Sequence, residues 1–452
     1  MQTLSHPAMV LCGIRRIAII FSGGPAPAAN AVISTAAAAF LKGGIEVIGI
    51  LNGYAGLVQY SEDNPLKEGC DYCVISHQLL RRTRNSQGVL LRTAREHPGK
   101  EIRNLSDLSD PQRTAGLQRV YRALCSLNVD ALLSIGGDGT LITANLLKRL
   151  QTQMPIGHHH IRIIHMPKTI DNDYMGIDFT FGYFTAVETL AAEIRNLLAD
   201  AEATSSYYVV TTMGRTAGWL AYGAAIASEA SLVIGPEDII GPLRCHEPCP
   251  NSGGSPTKRR EIMNMEAVIG RMVGTMQARE REGKTFGVIV LSEGLADYLP
   301  EEFIKDAARD DFDNISLSRV DLAGIIACGV SAEYRRRTGR QRKSVGIRLG
   351  YESRCAKPHA YDVVLASQIG VGAYRALVEE QMDGVMVSVT GQVELKYIPF
   401  EELVDQKSLK TIVRRMSPGS DFHLLARFLE TYIPESREYK AATPHPHRCK
   451  SL

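Results

Sequence analysis

The sequence lacks an apolar run of the roughly 18 to 20 residues that a helix needs to cross a bilayer. It also lacks a strong charge of either sign: 51 Lys and Arg residues balance 49 Asp and Glu residues, which gives a formal net charge of +2. These absences argue against a membrane protein and against a nucleic-acid-binding protein. The N-terminal segment has no charged stretch before its short apolar run, so we expect no signal peptide and a cytoplasmic protein.

The sequence also lacks the regular cysteine spacing of a disulfide framework. Its nine cysteines are odd in number and scattered, which predicts reduced thiols. Cys70 with Cys73 and Cys245 with Cys249 form two short pairs, and His158–His160 is a histidine tract. A structural zinc site needs two such pairs at tetrahedral spacing, and these pairs lie far apart in sequence. We therefore expect no structural metal at the cysteine pairs or at the histidine tract.

Short apolar segments rich in β-branched residues alternate with longer segments of helical pattern. Strands that are apolar along their whole length are typical of parallel sheets buried on both faces. The alternation therefore predicts an α/β fold with crossover helices. The predicted strands are Ile17–Phe21, Ile45–Ile50, Ala131–Ile135, Ile161–His165, Tyr207–Thr211, Leu232–Ile234, Phe286–Leu291 and Val385–Val389. The predicted helices include Ala28–Leu41, Phe184–Leu198, Gly218–Glu229, Ile262–Arg281 and Asp362–Met382. Ser61–Glu68 and the Pro-, Gly- and Ser-rich Gly241–Lys258 are predicted to be loops.

Two glycine-rich motifs follow predicted strands and open predicted helices, at the strand ends where parallel sheets gather ligands. Residues 22–30 (SGGPAPAAN) place a Gly-Gly turn before the free N–H groups of a helix N-terminus, which can contact phosphate. Residues 136–140 (GGDGT) leave Asp138 as a single carboxylate that suits Mg²⁺ beside a polyphosphate. The alternatives are a tight connection for the first motif and a helix N-cap at Asp138 for the second.

Two further motifs carry acidic and basic side chains. Pro167–Asp173 (PKTIDND) holds two carboxylates two residues apart, and such a carboxylate can take the proton of an acceptor hydroxyl. Met213–Trp219 (MGRTAGW) places a glycine and an arginine at a strand end, where they fit a phosphate or a sugar. Glu293 follows another strand and can accept hydrogen bonds from a sugar hydroxyl. A capped polar loop and a merely solvated Glu293 are the alternatives.

In this order and at these spacings, the motifs resemble the phosphofructokinase family, from about Arg15 to beyond Ile369. The resemblance implies transfer of a phosphoryl group from ATP or pyrophosphate to the 1-hydroxyl of fructose 6-phosphate, with Mg²⁺. It implies an α/β protein of two Rossmann-like lobes with largely parallel sheets, flanking helices and an active-site cleft between them. It also implies a homodimer or homotetramer, because a neighbouring chain completes the sugar-phosphate sites in the family.

The resemblance assigns a role to each lobe and to individual residues. Residues 14–182 with about 353–405 are expected to bind the phosphoryl donor and Mg²⁺, and residues 183–352 with the C-terminal segment to bind fructose 6-phosphate. The expected donor-binding residues are Gly24, Arg95, Gly137, Asp138, Gly139, Thr140 and Lys168, of which Asp138 accompanies the metal. The expected catalytic residues are Asp171, the base, with Thr169, Asp173 and Arg215. The expected substrate-binding residues are Thr169, Asp171, Met213, Gly214, Arg215, Glu293, Tyr351 and Arg354, the last two at the 6-phosphate.

Two positions bear on the donor and point in opposite directions. Pyrophosphate-dependent members commonly have an aspartate after the metal-associated one, whose bulk and charge oppose a nucleotide; this chain has Gly139. They also commonly carry a lysine where this chain has Lys168. An obstruction must be absent for ATP to bind, whereas an added lysine does not exclude ATP. We therefore favour ATP and keep pyrophosphate as the alternative.

The chain departs from the family pattern in places. Gln87 replaces a usual glycine, and residues 204–208 hold no arginine where bacterial ATP-dependent enzymes have one that reaches a neighbouring subunit. The basic residues that complete the 6-phosphate site are therefore not assigned, and Arg342, Lys343 and Arg348 remain as nearby candidates. Two other classes remain as rivals. A different GGDG kinase, for a dinucleotide or lipid, would share only residues 136–140, and a catalytically silent regulatory subunit would usually lose the acidic residues that this chain keeps.

Overall fold

The computed structural model describes residues 13–248, 259–305, 320–405, 407–431 and 433. Its strands are β1 (Arg16–Ser22), β2 (Glu46–Ile50), β3 (Tyr72–Val74), β4 (Ala131–Gly136), β5 (Arg162–Pro167), β6 (Tyr207–Thr212), β7 (Leu232–Ile234), β8 (Arg244–Pro248), β9 (Arg259–Met263), β10 (Gly287–Ser292), β11 (Ser344–Leu349), β12 (Val385–Thr390) and β13 (Glu394–Pro399). Its helices are α1 (Ala29–Lys42), α2 (Ala115–Ser126), α3 (Asp138–Thr152), α4 (Tyr183–Thr204), α5 (Trp219–Ser228), α6 (Met265–Arg281), α7 (Glu301–Ile304), α8 (Leu322–Thr338), α9 (Ala360–Tyr374), α10 (Phe400–Leu403) and α11 (Asp421–Leu429). None of these described helices is long and apolar enough to span a membrane.

The described residues form two compact units. The first unit takes those up to Thr189 together with Tyr351–Arg414, and the second takes Leu190–Gly350 together with those from Arg415 onward.

A seven-stranded sheet lies at the centre of the first unit, with the strand order β13-β12-β5-β4-β1-β2-β3. The inner strands are parallel, and β3 and β13 pair antiparallel at the two edges. The residues of β4 are all buried, as expected of a central parallel strand. Helices α1 and α9 pack so closely that a Cβ on Gly370 would overlap the side chain of Thr35. Gly370 therefore permits this helix pair.

The second unit contains a four-stranded parallel sheet with the order β11-β6-β10-β7. Apolar residues of its strands and of helices α6 and α8 form one core, which includes Val209, Met272, Ile289 and Ile326. Strands β8 and β9 form a separate antiparallel pair. With both sheets mainly parallel and flanked by helices, the prediction of an α/β fold is confirmed.

The predicted strands form with bounds shifted by at most one residue at either end, except that the strand predicted over Ile161–His165 ends two residues later, at Pro167. Several of the other predictions were wrong in part. The helix predicted over Ile262–Arg281 begins only at Met265, because Arg259–Met263 forms β9. The loop predicted over Gly241–Lys258 contains a short 3₁₀ turn and β8, and its residues 249–258 lie outside the described residues. Helix α9 ends at Tyr374 and continues as a π-helical turn over Arg375–Glu379.

Candidate functional site

Three of the sequence motifs begin side by side at one edge of the seven-stranded sheet. Ser22, the last residue of β1, is in register with Gly136 at the end of β4, and Gly136 is in register with Pro167 at the end of β5. The three polar loops that follow these strands therefore start next to one another. This placement follows from the parallel pairing, because parallel strands end at the same edge of a sheet.

Basic side chains surround Gly24. The Lys168 Nζ donates a hydrogen bond to the Gly24 carbonyl oxygen at 2.7 Å. A Cβ built on Gly24 would lie 3.8 Å from the Nη2 of Arg95 and 3.8 Å from the Cζ of Arg354. The guanidinium of Arg354 also lies 4.6 Å from the ring centre of Tyr351. These cations and the side-chain-free surface of Gly24 suit a phosphate group.

Hydrogen bonds hold the segment that carries Arg95 against this glycine turn. The Gly23 N–H donates to the Ala94 carbonyl at 3.0 Å, and the Thr93 hydroxyl donates to the Gly23 carbonyl at 2.6 Å. The Ser22 hydroxyl donates to the same Ala94 carbonyl at 3.2 Å. These hydrogen bonds fix residues 93 and 94 against the turn, and they therefore set the position of the Arg95 backbone.

The GGDGT motif forms the start of α3. Gly137 is the N-cap residue and Asp138 lies in the first turn, so the alternative of Asp138 as the N-cap is wrong. A carboxylate in the first turn of a helix is stabilised by the partial positive charge of the helix N-terminus. A Cβ built on Gly139 would overlap the imidazole of His97. His97 was not identified in the sequence, because nothing in the local pattern shows that its ring covers Gly139.

The acidic loop after β5 is ordered by hydrogen bonds of its own side chains. The Asp171 N–H donates to the Thr169 hydroxyl at 3.0 Å, and the Thr180 hydroxyl donates to the Thr169 carbonyl at 2.7 Å. Buried Asn172 has a φ of 56°, in the left-handed region, and its side-chain oxygen accepts from the Thr180 N–H at 3.0 Å. Asp173 is buried and Asp171 half-buried. The loop therefore holds Asp171 in a fixed place with its side chain partly open to solvent.

Arg414 fastens this loop from a distant part of the sequence. Its guanidinium donates to the Asn172 carbonyl at 2.9 Å, to the Ile177 carbonyl at 2.6 Å and to the Asp178 carbonyl at 2.9 Å. Its N–H donates to the Asp173 carbonyl at 2.7 Å. Burial lowers the pKa of Arg414, while the nearby carboxylates of Asp178 and Asp173 oppose that shift. Sequence analysis did not identify Arg414 because its partners lie more than 200 residues away.

In the second unit, Glu293 contacts the turn of the MGRTAGW motif. The Glu293 Oε1 accepts hydrogen bonds from the N–H groups of Gly214 at 3.2 Å and of Arg215 at 3.1 Å. Its Oε2 accepts one from the Arg348 Nη2, also at 3.2 Å. Met213 is buried, and its side chain packs where a Cβ on Gly350 would lie. The alternative of a merely solvated Glu293 is therefore wrong.

The histidine tract and the cysteine pair at residues 70 and 73 do not form a group of metal ligands among the described residues. No group of three or more His, Cys, Asp or Glu side chains there could hold a metal ion. His160 pairs with Asp383 at 2.9 Å and His159 contacts the Val129 carbonyl at 2.7 Å. Cys70 and Cys73 are free thiols, and Cys249 lies outside the described residues.

The comparison with protein families matches the model described as "Phosphofructokinase" over residues 16–377. The chain belongs to the phosphofructokinase family. It is similar to the pyrophosphate–fructose 6-phosphate 1-phosphotransferase of Thermotoga maritima, at 31% identity over 91% of this chain and 89% of that protein. It is also similar to the ATP-dependent 6-phosphofructokinase of Corynebacterium efficiens, at 32% identity over 87% of this chain and 94% of that protein.

Solved phosphofructokinase structures share the fold. The Pichia pastoris phosphofructokinase in the T-state superposes with a TM-score of 0.62 at 23% identity, covering 88% of this chain. This chain spans only 35% of the length of that yeast chain. The pyrophosphate-dependent phosphofructokinase of Nitrosospira multiformis superposes with a TM-score of 0.63 at 16% identity, and 94% of each chain is covered. The relatives thus include both ATP-dependent and pyrophosphate-dependent phosphofructokinases.

Proposed function

We propose that this protein is a 6-phosphofructokinase that transfers the terminal phosphoryl group of ATP to the 1-hydroxyl of fructose 6-phosphate, giving fructose 1,6-bisphosphate. The observation that carries the proposal is the shared sheet edge of Ser22, Gly136 and Pro167. It brings the cation-lined Gly24 turn together with the loop that carries Asp171. A phosphoryl transfer needs these two elements, one for the phosphates and one for the proton of the acceptor.

The roles in the first unit follow from this arrangement. Asp171 takes the proton of the sugar 1-hydroxyl while the oxygen of that hydroxyl forms a bond to the terminal phosphorus of the donor. The bond from this phosphorus to the oxygen of the leaving phosphate breaks. Arg95 and Lys168 balance the charge on the phosphates near Gly24. Thr169 fixes the Asp171 backbone, and Asp173 belongs to the same loop. These assignments agree with the family roles except that Arg354, expected at the 6-phosphate, also lies beside Gly24.

A magnesium ion fits the donor side of this site. Mg²⁺ is usually held by one or two carboxylates together with phosphate oxygens, so a large protein cluster is not required. Asp138, in the first turn of α3, offers a carboxylate at the same sheet edge. When bound there, Mg²⁺ supplies positive charge to the donor phosphates. Gly137, Gly139 and Thr140 belong to the same turn and are proposed to border the donor.

The second unit is proposed to bind the sugar phosphate through Met213, Gly214, Arg215 and Glu293. The two N–H groups that Glu293 engages belong to Gly214 and Arg215, so the carboxylate sets the shape of this turn. We propose that Tyr351 and Arg354 contact the 6-phosphate. We also propose that the protein is cytoplasmic and forms a homodimer or a homotetramer. The second unit then supplies the turn for the sugar, and the first unit supplies the donor-binding residues together with Tyr351 and Arg354.

The choice of donor depends on two positions. Gly139 has no carboxylate to oppose a nucleotide, which supports ATP. Pyrophosphate is the second candidate, because the Lys168 ammonium lies 2.7 Å from the Gly24 carbonyl, where it can offset the charge of a compact polyanionic donor. Both kinds of enzyme occur among the relatives. We retain ATP because a lysine attracts both donors, whereas an aspartate after Asp138 would repel the nucleotide.

The test is a pair of coupled assays with fructose 6-phosphate and Mg²⁺, one with ATP and one with pyrophosphate. The expected result is formation of fructose 1,6-bisphosphate with a higher kcat/KM for ATP. A higher kcat/KM for pyrophosphate would show that pyrophosphate and not ATP is the preferred donor, and the proposal that fructose 6-phosphate is the acceptor would stand. Absence of turnover with both donors, by folded protein, would overturn the proposal and favour a silent subunit.

A further inference from the structure

Arg348 lies next to the Gly214–Arg215 turn in the second unit. It is the next-to-last residue of β11 and is in register with Thr211 near the end of β6. The pairing of these strands therefore carries Arg348 to the point where the turn begins. There its Nη2 donates to the Glu293 Oε2 at 3.2 Å, with the Arg348 side chain 30% and the Glu293 side chain 11% exposed. The pair is thus partly shielded from water, which strengthens its attraction.

The turn that Glu293 holds has an unfavourable backbone. Gly214 has a φ of 147° and Arg215 a φ of 46°, and the left-handed region is sparsely populated by residues other than glycine. Such a conformation persists only where its surroundings fix it. The Glu293 Oε1 provides this by accepting from both N–H groups of the turn. The geometry of the turn therefore depends on the geometry of the Glu293 carboxylate.

We propose that Arg348 is a positioning residue for acceptor binding: it orients Glu293, which in turn holds the Gly214–Arg215 turn in its binding conformation. This inference rests on the proposed function, in which that turn contacts the sugar phosphate. A carboxylate has about four lone-pair sites, and the three hydrogen bonds described leave capacity for a sugar hydroxyl. Arg348 thus acts through Glu293.

The surroundings of the pair support an indirect role. A cavity of about 10 Å³ is lined by Arg348, Glu293, Thr211 and Asp321, and it has room for about one water molecule. A hexose phosphate does not fit there. Asp321 caps α8, because its Oδ1 accepts from the Gly324 N–H at 3.0 Å. The N-terminus of α8 therefore borders the small cavity beside the pair.

The experiment compares Arg348→Met and Arg348→Lys with a matched control, Arg337→Met. Arg337 pairs with Glu333 on α8 at 2.6 Å with exposures of 33% and 17%, similar to those of the Arg348 pair. For each folded variant, kcat, the KM for fructose 6-phosphate and the KM for the donor are measured. We expect Arg348→Met to raise the KM for fructose 6-phosphate about tenfold or more and to change kcat less than about threefold. The donor KM should stay at the wild-type value.

The conservative variant separates geometry from charge. Arg348→Lys keeps the charge but loses the planar donor, so its KM should fall between those of wild type and Arg348→Met. If Arg348→Met does not fold, an unchanged KM in Arg348→Lys overturns the inference. An unchanged KM in Arg348→Met, or an equal rise in Arg337→Met, also overturns it. Failure of the wild type to phosphorylate fructose 6-phosphate with either donor is a distinct outcome, which overturns the proposed function itself.

Discussion

Asp171 is the single residue on which the proposed chemistry depends most. We expect Asp171→Ser to lower kcat by at least about 10²-fold, because a general base usually contributes that much, while fructose 6-phosphate binding stays nearly intact. Steady-state kinetics and equilibrium binding of fructose 6-phosphate measure the two effects. Asp178→Ser is the matched control, because Asp178 is an exposed carboxylate in the same loop. Among the hydrogen bonds described, its side chain accepts one, from the Gly391 N–H. A near-normal rate in Asp171→Ser would remove Asp171 from its role.

Gly139 is the residue that bears most directly on the donor. We expect Gly139→Asp to shift the ratio of kcat/KM values from ATP towards pyrophosphate, because the new carboxylate repels the nucleotide. A side chain at this position must also displace the His97 ring. Gly139→Ala therefore serves as the control, since it displaces the ring without adding a charge. An equal shift in Gly139→Ala would assign the effect to His97, and unchanged ATP kinetics in Gly139→Asp would contradict the steric and electrostatic account.

At the scale of elements, the acidic loop and the segment that ends at Arg414 act together. We expect Arg414→Lys to lower kcat about tenfold or more, with smaller effects on both KM values, because a lysine cannot span the three carbonyls that the guanidinium contacts. The adjacent Arg415 is the control: its side chain is exposed and contacts the Tyr298 hydroxyl at 3.4 Å. Steady-state kinetics of Arg414→Lys and Arg415→Lys test this. A wild-type kcat in Arg414→Lys would show that the acidic loop keeps its shape without the hydrogen bonds of the Arg414 guanidinium.

The same elements show how far the sequence predicts the structure. Strands such as β1 and β4 were predicted nearly to the residue, because burial on both faces leaves a continuous apolar run. The β8–β9 pair was missed because its residues alternate in exposure and lie next to a Pro- and Gly-rich stretch. The glycine and acidic motifs could be found because they follow strand ends. His97, Arg348 and Arg414 could not be assigned, because their importance arises from tertiary contacts that local sequence does not encode.

At the scale of the whole molecule, each unit holds its own proposed residues through contacts within that unit. In the first, the sheet register sets the phosphate cations and the acidic loop. In the second, Glu293 and Arg348 set the sugar-binding turn. The polar groups that do this are held by hydrogen bonds within each unit, so the stability of each core is a condition for activity.

His165 links the stability of the molecule to pH. It is fully buried in β5, where loss of water lowers its pKa from 6.5 to about 3. Between pH 6.5 and about pH 3, the His165 imidazole therefore binds a proton in the unfolded chain but not in the folded chain. The contribution of His165 to the free energy of unfolding is complete above about pH 6.5 and is lost as the pH falls towards 3.

Between about pH 7.5 and pH 5, we expect the neutral imidazole to account for a loss of about 2 kcal/mol in the free energy of unfolding. Denaturant unfolding of His165→Gln should show a pH dependence smaller by that amount, whereas the exposed control His160→Gln should follow the wild type. Equal pH dependence in His165→Gln and wild type would contradict the assignment to this residue.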